Sequence, residues 1–114
     1  ITTLPRDVHA EMRRLLTDYE NGAPKNLEDI VEFHARFEKI HPFQDGNGRV
    51  GRLIMFKECL RFGVVPFIID ESIKLLYYNG LKNWDTQHGY LISTCQLAQD
   101  AFREMMAYFE ITEV

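Results

Sequence analysis

The sequence has little of what marks several large classes of protein. It holds only two cysteines, Cys59 and Cys95, which we interpret as reduced, buried thiols of a cytoplasmic protein rather than a disulfide framework. It has no apolar run of membrane-spanning length and no stretch with the pattern of a signal peptide, so we expect no membrane partner. The net charge is -4 and the 13 Lys and Arg residues form no patch, which argues against nucleic acid as a partner.

What is present fits one folded domain. A chain of 114 residues is long enough for one modest core and too short for two, and 46% of it is apolar. We therefore expect residues 1–114 to form a single domain core. Because the first residue is Ile1 rather than methionine, we also expect the chain to belong to a longer protein.

The first half of the chain predicts two helices before a polar loop. Apolar residues at helical spacing predict the first helix over 7–20. Asn21 and Gly22 would end this helix, and Asn26 has the residue type of an N-cap for the second one. The second helix should end near Ile40, because the proline that soon follows disfavours helical geometry.

The second half predicts three more helices, so the fold class is all-α. The third helix is predicted to start at Asn47 or Gly48, and 64–69 should be extended and packed rather than a true strand. Asp70 or Ser72 is predicted to cap the fourth helix. The third helix is predicted to end at Gly63, the fourth to run to Trp84, and the fifth to cover 88–110.

Apolar positions also predict which helix faces point inward. For the third helix these positions are Val50, Leu53, Ile54, Cys59 and Leu60. For the fifth helix they are Tyr90, Leu91, Thr94, Leu97, Ala98, Ala101, Phe102, Met105 and Phe109. We interpret the Met and aromatic residues among them as core.

The loop between the second and third helices carries the residues best suited to chemistry. Gly46, Asn47 and Gly48 precede a predicted helix, whose first amides lack internal partners and favour an anion. Arg49 and Arg52 are three residues apart, so both guanidiniums can reach one side of that helix. Each feature alone is typical of an ordinary helix N-terminus. Their combination favours a clamp for a polyphosphate.

Two further residues of the loop complete the predicted site. Asp45 could simply cap the helix, but one carboxylate beside an anion site is also what Mg²⁺ needs when phosphate and water fill its shell. His41 is the neutral base nearest the loop and suits proton abstraction. We interpret His9, His34 and His88 as structural or surface residues, and expect Phe43 to point inward and hold the loop to the core.

A dinucleotide-binding interpretation of the same glycines fails. Residues 46–51 match the Gly-x-Gly-x-x-Gly fingerprint letter for letter. That fingerprint has meaning only after a strand and within a βαβ unit, and here a helical pattern precedes it.

The loop resembles the signature of a known family. Every fixed position of the Fic (filamentation induced by cAMP) signature is matched by His41-Pro42-Phe43-x-Asp45-Gly46-Asn47-Gly48-Arg49-x-x-Arg52. The surrounding helices resemble the Fic-type helical bundle with a central helix–loop–helix, so the resemblance covers nearly the whole chain. Fic proteins mostly transfer AMP from ATP to a Ser, Thr or Tyr hydroxyl of a target protein, releasing pyrophosphate.

The resemblance implies a role for each loop residue. His41 would deprotonate the hydroxyl, and Asp45 would hold Mg²⁺ (or Mn²⁺) against the phosphates. Gly46, Asn47 and Gly48 would form the anion hole. Arg49 and Arg52 would hold the triphosphate. A nucleobase pocket formed by the later helices is expected to involve Tyr77, Tyr78 and Leu81, although simple core packing is the competing interpretation.

Two segments usual in the family have no counterpart here. Only Ile1–Thr3 could belong to the β-hairpin flap that docks the target, and no inhibitory Ser/Thr-x-x-x-Glu-Gly/Asn motif occurs. We therefore expect the flap, and any inhibitory segment, to lie outside this sequence, or inhibition to come from a separate partner protein.

Other activities stay open on the sequence alone. Transfer of UMP, GMP, phosphocholine or phosphate would use a similar site. A non-catalytic nucleotide-binding or interaction module would keep the fold without turnover. The complete set of loop residues favours AMP transfer by a protein adenylyltransferase.

Overall fold

Five α-helices make up the part of the chain that the structure describes. The computed structural model describes residues 2–21 and 24–109, so the predictions made for Ile1, Gly22 and residue 110 fall outside the described residues. A short 3₁₀ turn at Pro5–Asp7 leads into α1 (Val8–Glu20). The other helices are α2 (Leu27–Ile40), α3 (Asn47–Arg61), α4 (Lys74–Lys82) and α5 (His88–Tyr108). Since the described ranges contain no strand, the predicted all-α class is confirmed.

The central helix is α2, which is buried on two sides. Its N-terminus is fixed by a capping box, in which Asn26 Oδ1 accepts from the Asp29 amide at 2.9 Å and an Asp29 oxygen accepts from the Asn26 amide at 3.0 Å. This confirms Asn26 as the N-cap. One face packs Phe33 and Phe37 against α1 and α3, where Leu15 is the buried residue of α1. The other face belongs to a larger cluster formed with α3, α4 and α5, whose buried members include Ile30, Val31, Met55, Tyr77, Leu91 and Cys95.

The inward face of α3 differs from the prediction. Leu53 is 69% exposed and Leu60 is also exposed, whereas Gly51, Met55 and Cys59 are buried. The buried residues follow the helical i, i+4, i+8 spacing that begins at Gly51. The prediction was wrong for the two leucines because it left Gly51 out of the stripe.

The N-terminus of α4 also differs from the prediction. Its N-cap is Ile73, which makes no side-chain capping bond. Asp70 instead accepts from the Ser72 amide at 2.9 Å, forming a turn before the helix. Neither Asp70 nor Ser72 is therefore the cap, and α4 ends at Lys82, before the predicted Trp84.

The last helix is less buried than its sequence predicts. Its buried residues are Leu91, Thr94, Cys95, Ala98 and Gln99. The predicted core positions Tyr90, Leu97, Ala101, Met105 and Phe109 are exposed, and Phe102 is only partly buried. The buried face packs mainly against α4 and α2, with an edge contact from Phe102 to Phe56 of α3, so a stripe narrower than the apolar one in the sequence is covered.

The connection between α3 and α4 is extended, as predicted. Residues 64–70 form no strand, yet Pro66 and Phe67 are buried. The Gln99 amide nitrogen of α5 donates to the Val65 carbonyl at 2.8 Å, which attaches this segment to the domain. No helix in the described ranges is long and apolar enough to cross a membrane.

Candidate active site

The site begins where α2 stops at His41. This residue adopts the left-handed conformation with φ 56° and ψ 60°, and its amide donates to the Phe37 carbonyl at 3.1 Å. It has the only positive φ found among the non-glycine residues that the structure describes. A left-handed non-glycine residue costs about 1 kcal/mol, and such strain is concentrated at functional sites. The conformation turns the chain away from the helix, and the His41 side chain is exposed at its end.

The loop is held in shape by the side chain of Asn47. This side chain is only 3% exposed, and its Oδ1 accepts from the Phe43 amide at 2.9 Å. Its Nδ2 donates to the Phe43 carbonyl at 2.8 Å. Both polar groups of the amide are thereby used within the loop, so Asn47 can offer a ligand only its backbone N–H.

The expectation that Phe43 anchors the loop is met only in part. Its ring lies 6.4 Å from that of Phe37, centroid to centroid, but the residue is 50% exposed. Asn47 therefore ties the loop through hydrogen bonds, a contribution that the sequence did not reveal because it depends on where the loop folds back.

Backbone amides are available at the start of α3. Gly46 is the N-cap with φ 80°, a conformation that favours glycine, and the Val50 amide donates to its carbonyl at 3.0 Å. That bond is the first of the helix, so the amides of Asn47, Gly48 and Arg49 have no intrahelical acceptor. A helix end with unpaired amides and a positive dipole favours an anion.

Both predicted arginines lie beside the glycines. Arg49 Nη2 is 3.4 Å from the position that a Cβ on Gly46 would take, and Arg52 Nη1 is 2.9 Å from the corresponding position on Gly48. A side chain at Gly48 would therefore compete with Arg52 for space. The Arg52 guanidinium also lies 5.7 Å from the centroid of the Tyr77 ring, within the range of a cation–π contact.

Asp45 has the features of a single carboxylate ligand for a metal ion. It is exposed, and its Oδ1 accepts from the Gly46 amide at 2.8 Å. The described residues contain no group of three or more His, Cys, Asp and Glu side chains that could hold a metal ion. Such a donor set fits Mg²⁺, which completes its shell with phosphate oxygens and water, and does not fit a zinc site.

A buried polar pair lies beside the first turns of α3. Nε2 of His34 on α2 lies 2.6 Å from the hydroxyl of Tyr77 on α4, and both side chains are inaccessible to solvent. Burial lowers the pKa of His34 to about 4, which keeps the ring neutral at pH 7. A Cβ on Gly51 would lie 3.1 Å from both the His34 ring and the Phe37 ring, so glycine permits α3 to approach α2 here.

The candidate nucleobase residues separate into two groups. Tyr77 is fully buried and paired with His34, so it belongs to the core. Tyr78 and Leu81 line a surface cleft of about 340 Å³, together with Glu38 and Trp84. A nucleobase pocket at Tyr78 and Leu81 stays a prediction.

The sequence analysis missed Glu38, a neighbour of the loop residues. It lies on α2 three residues before His41, with one carboxylate oxygen buried against Gly51. The i, i+3 spacing to His41 was the available signal.

Comparisons with known proteins agree with this geometry. The profile of the Fic/DOC family matches residues 1–59, which include the whole loop. Protein adenylyltransferase Fic of Drosophila willistoni is 45% identical over an alignment of 83 residues, covering 68% of this chain and 16% of that protein. The proteins of the same name from Drosophila virilis and Drosophila melanogaster are 45% identical over 49 residues, covering 43% of this chain and 10% of each relative.

The chain therefore spans a small part of the length of its curated relatives. The family profile nevertheless covers more than half of the chain and ends within α3, beyond the second arginine. On this match, and on a loop whose every fixed position is present, the chain belongs to the Fic/DOC family.

Proposed function

We propose that the domain transfers AMP from ATP to a Ser, Thr or Tyr hydroxyl of a target protein, with release of pyrophosphate. The observation that carries the proposal is the start of α3, where three amides without an intrahelical acceptor and two arginines lie beside the same loop as an exposed histidine. The curated relatives are named protein adenylyltransferases, which supports the same reaction class.

The reaction divides between the loop residues by their chemistry. The hydroxyl oxygen of the target forms a bond to the α-phosphorus, and the bond from that phosphorus to the oxygen leading to the β-phosphate breaks. His41 takes the hydroxyl proton. The amides of Asn47 and Gly48 bind the non-bridging oxygens, on which negative charge is concentrated, and Arg49 and Arg52 stabilise the departing pyrophosphate.

Asp45 would hold the metal ion. Bound Mg²⁺ or Mn²⁺ would neutralise charge on the α- and β-phosphates. The hydrogen bond from the Gly46 amide keeps Asp45 at the mouth of the loop. The chain's own contribution is thus mainly positioning and preorganised charge, which is what phosphoryl-type transfer requires.

Two radioactive forms of ATP test the proposal. The protein is incubated with Mg²⁺ and ATP labelled at either the α- or the γ-phosphate, and label bound to protein is measured, including on the protein itself. We expect transfer from the α position only, and its loss in His41→Ala. The matched control is His9→Ala, because His9 is exposed on α1 and, among the residues that the structure describes, bonds only its helix neighbour Arg13 at 2.7 Å.

Other outcomes would redirect the assignment. Label from the γ position would indicate a kinase. Label from neither position, with nucleotide still bound, would indicate a binding module. Transfer from α-labelled UTP or GTP in preference to ATP would change the donor and keep the reaction class.

Location and regulation belong to the same proposal. The two free cysteines are buried, and burial raises the pKa of Cys59 to about 11 and of Cys95 to about 12, so both thiols stay protonated. Reduced, unreactive thiols fit a cytoplasmic protein. We further propose that a hydroxyl-bearing target protein and a separate inhibitory partner bind this domain.

A further inference from the structure

One side chain beside the loop has no role in the reaction just described. Glu38 Oε2 is buried and has no hydrogen-bond partner among the described residues. This oxygen faces Gly51, where any Cβ would collide with it. A carboxylate oxygen removed from water without a partner destabilises the folded state, so its presence calls for an explanation.

The surroundings of Glu38 are the charged groups of the site. Burial raises the pKa of Glu38, while the charges of Arg52 and His41 lower it. Tyr77 is also nearby, since the charge of Glu38 helps to raise the Tyr77 pKa. Arg52 in turn lies over the Tyr77 ring. Glu38 therefore provides the negative charge of a partly buried cluster whose cation is the second arginine of the loop.

A purely structural role does not account for this arrangement. A structural carboxylate would be expected to cap a helix or to close an ion pair, and Glu38 forms no ion pair within 4.0 Å in the part of the chain that the structure describes. Glu38 Oε2 lies instead beside Gly51, the residue directly before Arg52 on α3, and its charge interacts with that of Arg52. A fixed negative charge there limits how the guanidinium can turn.

We propose that Glu38 is a positioning residue of the transfer site, whose buried carboxylate orients the Arg52 guanidinium over Tyr77 and toward the phosphates. This inference rests on the proposed function for its consequence, the binding of a triphosphate. The orientation of the Arg52 guanidinium by Glu38 is independent of that function, because it exists before any nucleotide binds.

Nucleotide affinity gives the first test. Glu38→Gln keeps the shape of the side chain and removes its charge. By calorimetry with ATP and Mg²⁺ we expect it to weaken binding roughly 5- to 10-fold, the size expected of a partly screened charge pair. Glu38→Asp should recover part of the loss. Glu32→Gln, an exposed residue of the same helix, should bind ATP like the wild type.

A double-mutant cycle separates positioning from a general effect on the fold. In the Arg52→Ala background, Glu38→Gln should have no further effect on ATP binding, because the residue through which it acts is gone. Because one oxygen of Glu38 is buried without a hydrogen-bond partner, Glu38→Gln should also leave the melting temperature unchanged or raise it. Equal effects of Glu38→Gln in both backgrounds, or a lower melting temperature in parallel with the lost affinity, would overturn the inference.

A measurement without nucleotide distinguishes this inference from the proposed function. The Arg52 Nε–Hε signal in a nitrogen-15 NMR spectrum, assigned by its loss in Arg52→Lys, should shift in Glu38→Gln and not in Glu32→Gln. An unshifted signal would refute the role of Glu38 even if ATP binds. A shifted signal in a protein that binds no ATP would support that role and refute the proposed function.

Discussion

His34 should make the stability of this domain depend strongly on pH. Its ring is buried between α2 and α4, and burial lowers its pKa from 6.5 to about 4. In the unfolded chain His34 binds a proton below 6.5, and in the folded domain it cannot do so until about 4. The stability from this residue is therefore fully present above 6.5 and is lost as the pH falls toward 4. The difference between the pKa of His34 in the unfolded chain and in the folded domain corresponds to roughly 3 kcal/mol of unfolding free energy.

Urea unfolding of the wild type and His34→Gln at about pH 7.5 and about pH 4.5 measures this contribution. Glutamine can still bond the Tyr77 hydroxyl but fills less space, so near neutrality we expect the variant to be less stable by about 1 to 3 kcal/mol. In acid the wild type alone loses the His34 contribution, so the difference should shrink by about 2 to 3 kcal/mol or change sign. The control His9→Gln removes an exposed histidine and should leave the pH dependence unchanged.

Carboxyl groups with shifted pKa values do not obscure the comparison of the wild type with His34→Gln. The raised pKa of Glu38 acts in the opposite direction, since its contribution is present in acid and is lost as the pH rises. The lowered pKa of Glu58 acts in the same direction as His34. Both groups are present in the wild type and in the variant, so they cancel in the difference. A difference of equal size at both pH values would refute the reasoning.

Four further changes, the last with a control at Gly89, test the loop and its support. Arg52→Ala should weaken ATP binding about 10-fold or more and ADP binding less, because on the proposed function Arg52 helps to hold the far end of the triphosphate; equal losses in calorimetry would contradict its assignment. Asp45→Ala should abolish turnover together with its dependence on Mg²⁺ or Mn²⁺, whereas full wild-type activity in chelator would remove the metal from the mechanism. Asn47→Ala leaves a backbone N–H and C=O of the loop unpaired and should cost about 2 to 3 kcal/mol of unfolding free energy; an unchanged urea midpoint would show that the two bonds are dispensable. Gly51→Ala should cost about 1 to 3 kcal/mol of unfolding free energy, because the new methyl group forces α2 and α3 apart. In the control Gly89→Ala a Cβ meets nothing within 4 Å, so this change should stabilise α5 by up to about 1 kcal/mol. A larger loss of stability in Gly89→Ala than in Gly51→Ala would contradict the packing.

Helix ends that depend on local signals could be predicted from the sequence. Asn26 is an N-cap because its side chain reaches an amide three residues later, a contact within one turn. The end of α2 at Ile40 is likewise local, since Pro42 follows directly after the left-handed His41. Interactions of this range need only neighbouring residues, so a single sequence contains them.

Which faces of the helices are buried, and how deeply, could not be predicted in the same way. Leu53 and Leu97 are apolar and at helical spacing, yet both are exposed, because the neighbouring helices cover other faces of α3 and α5. Gly51 is buried, although a glycine adds nothing to an apolar pattern. Its burial is a consequence of how closely α2 and α3 approach, which no local pattern records.

The residues of the site show the same difference between local and long-range interactions. His41, Asp45 and the two arginines lie within twelve residues, and one helix end and one helix start bring their groups to the same loop. Their assembly could be predicted because the chain needs no distant contact to form it. His34 and Glu38 were missed as neighbours of the site because their relation to the loop exists only after α2, α3 and α4 pack together. Tyr77 was predicted as a nucleobase-pocket residue, and the structure places it in the core beside His34.

This division has a consequence for what the domain can recognise. On the proposed function, charge stabilisation depends mainly on amides and arginines that one short segment carries, so phosphate binding should be less sensitive to changes away from the loop and from Glu38 than to changes within them. The cleft at Tyr78 and Leu81 depends instead on how α4 packs against α2, which the His34–Tyr77 pair maintains. A change at that buried pair should therefore alter which nucleotide is chosen before it alters whether a triphosphate is bound at all. On the proposed function, the choice of nucleotide would depend on the packed core, and the binding of phosphate would depend mainly on the loop.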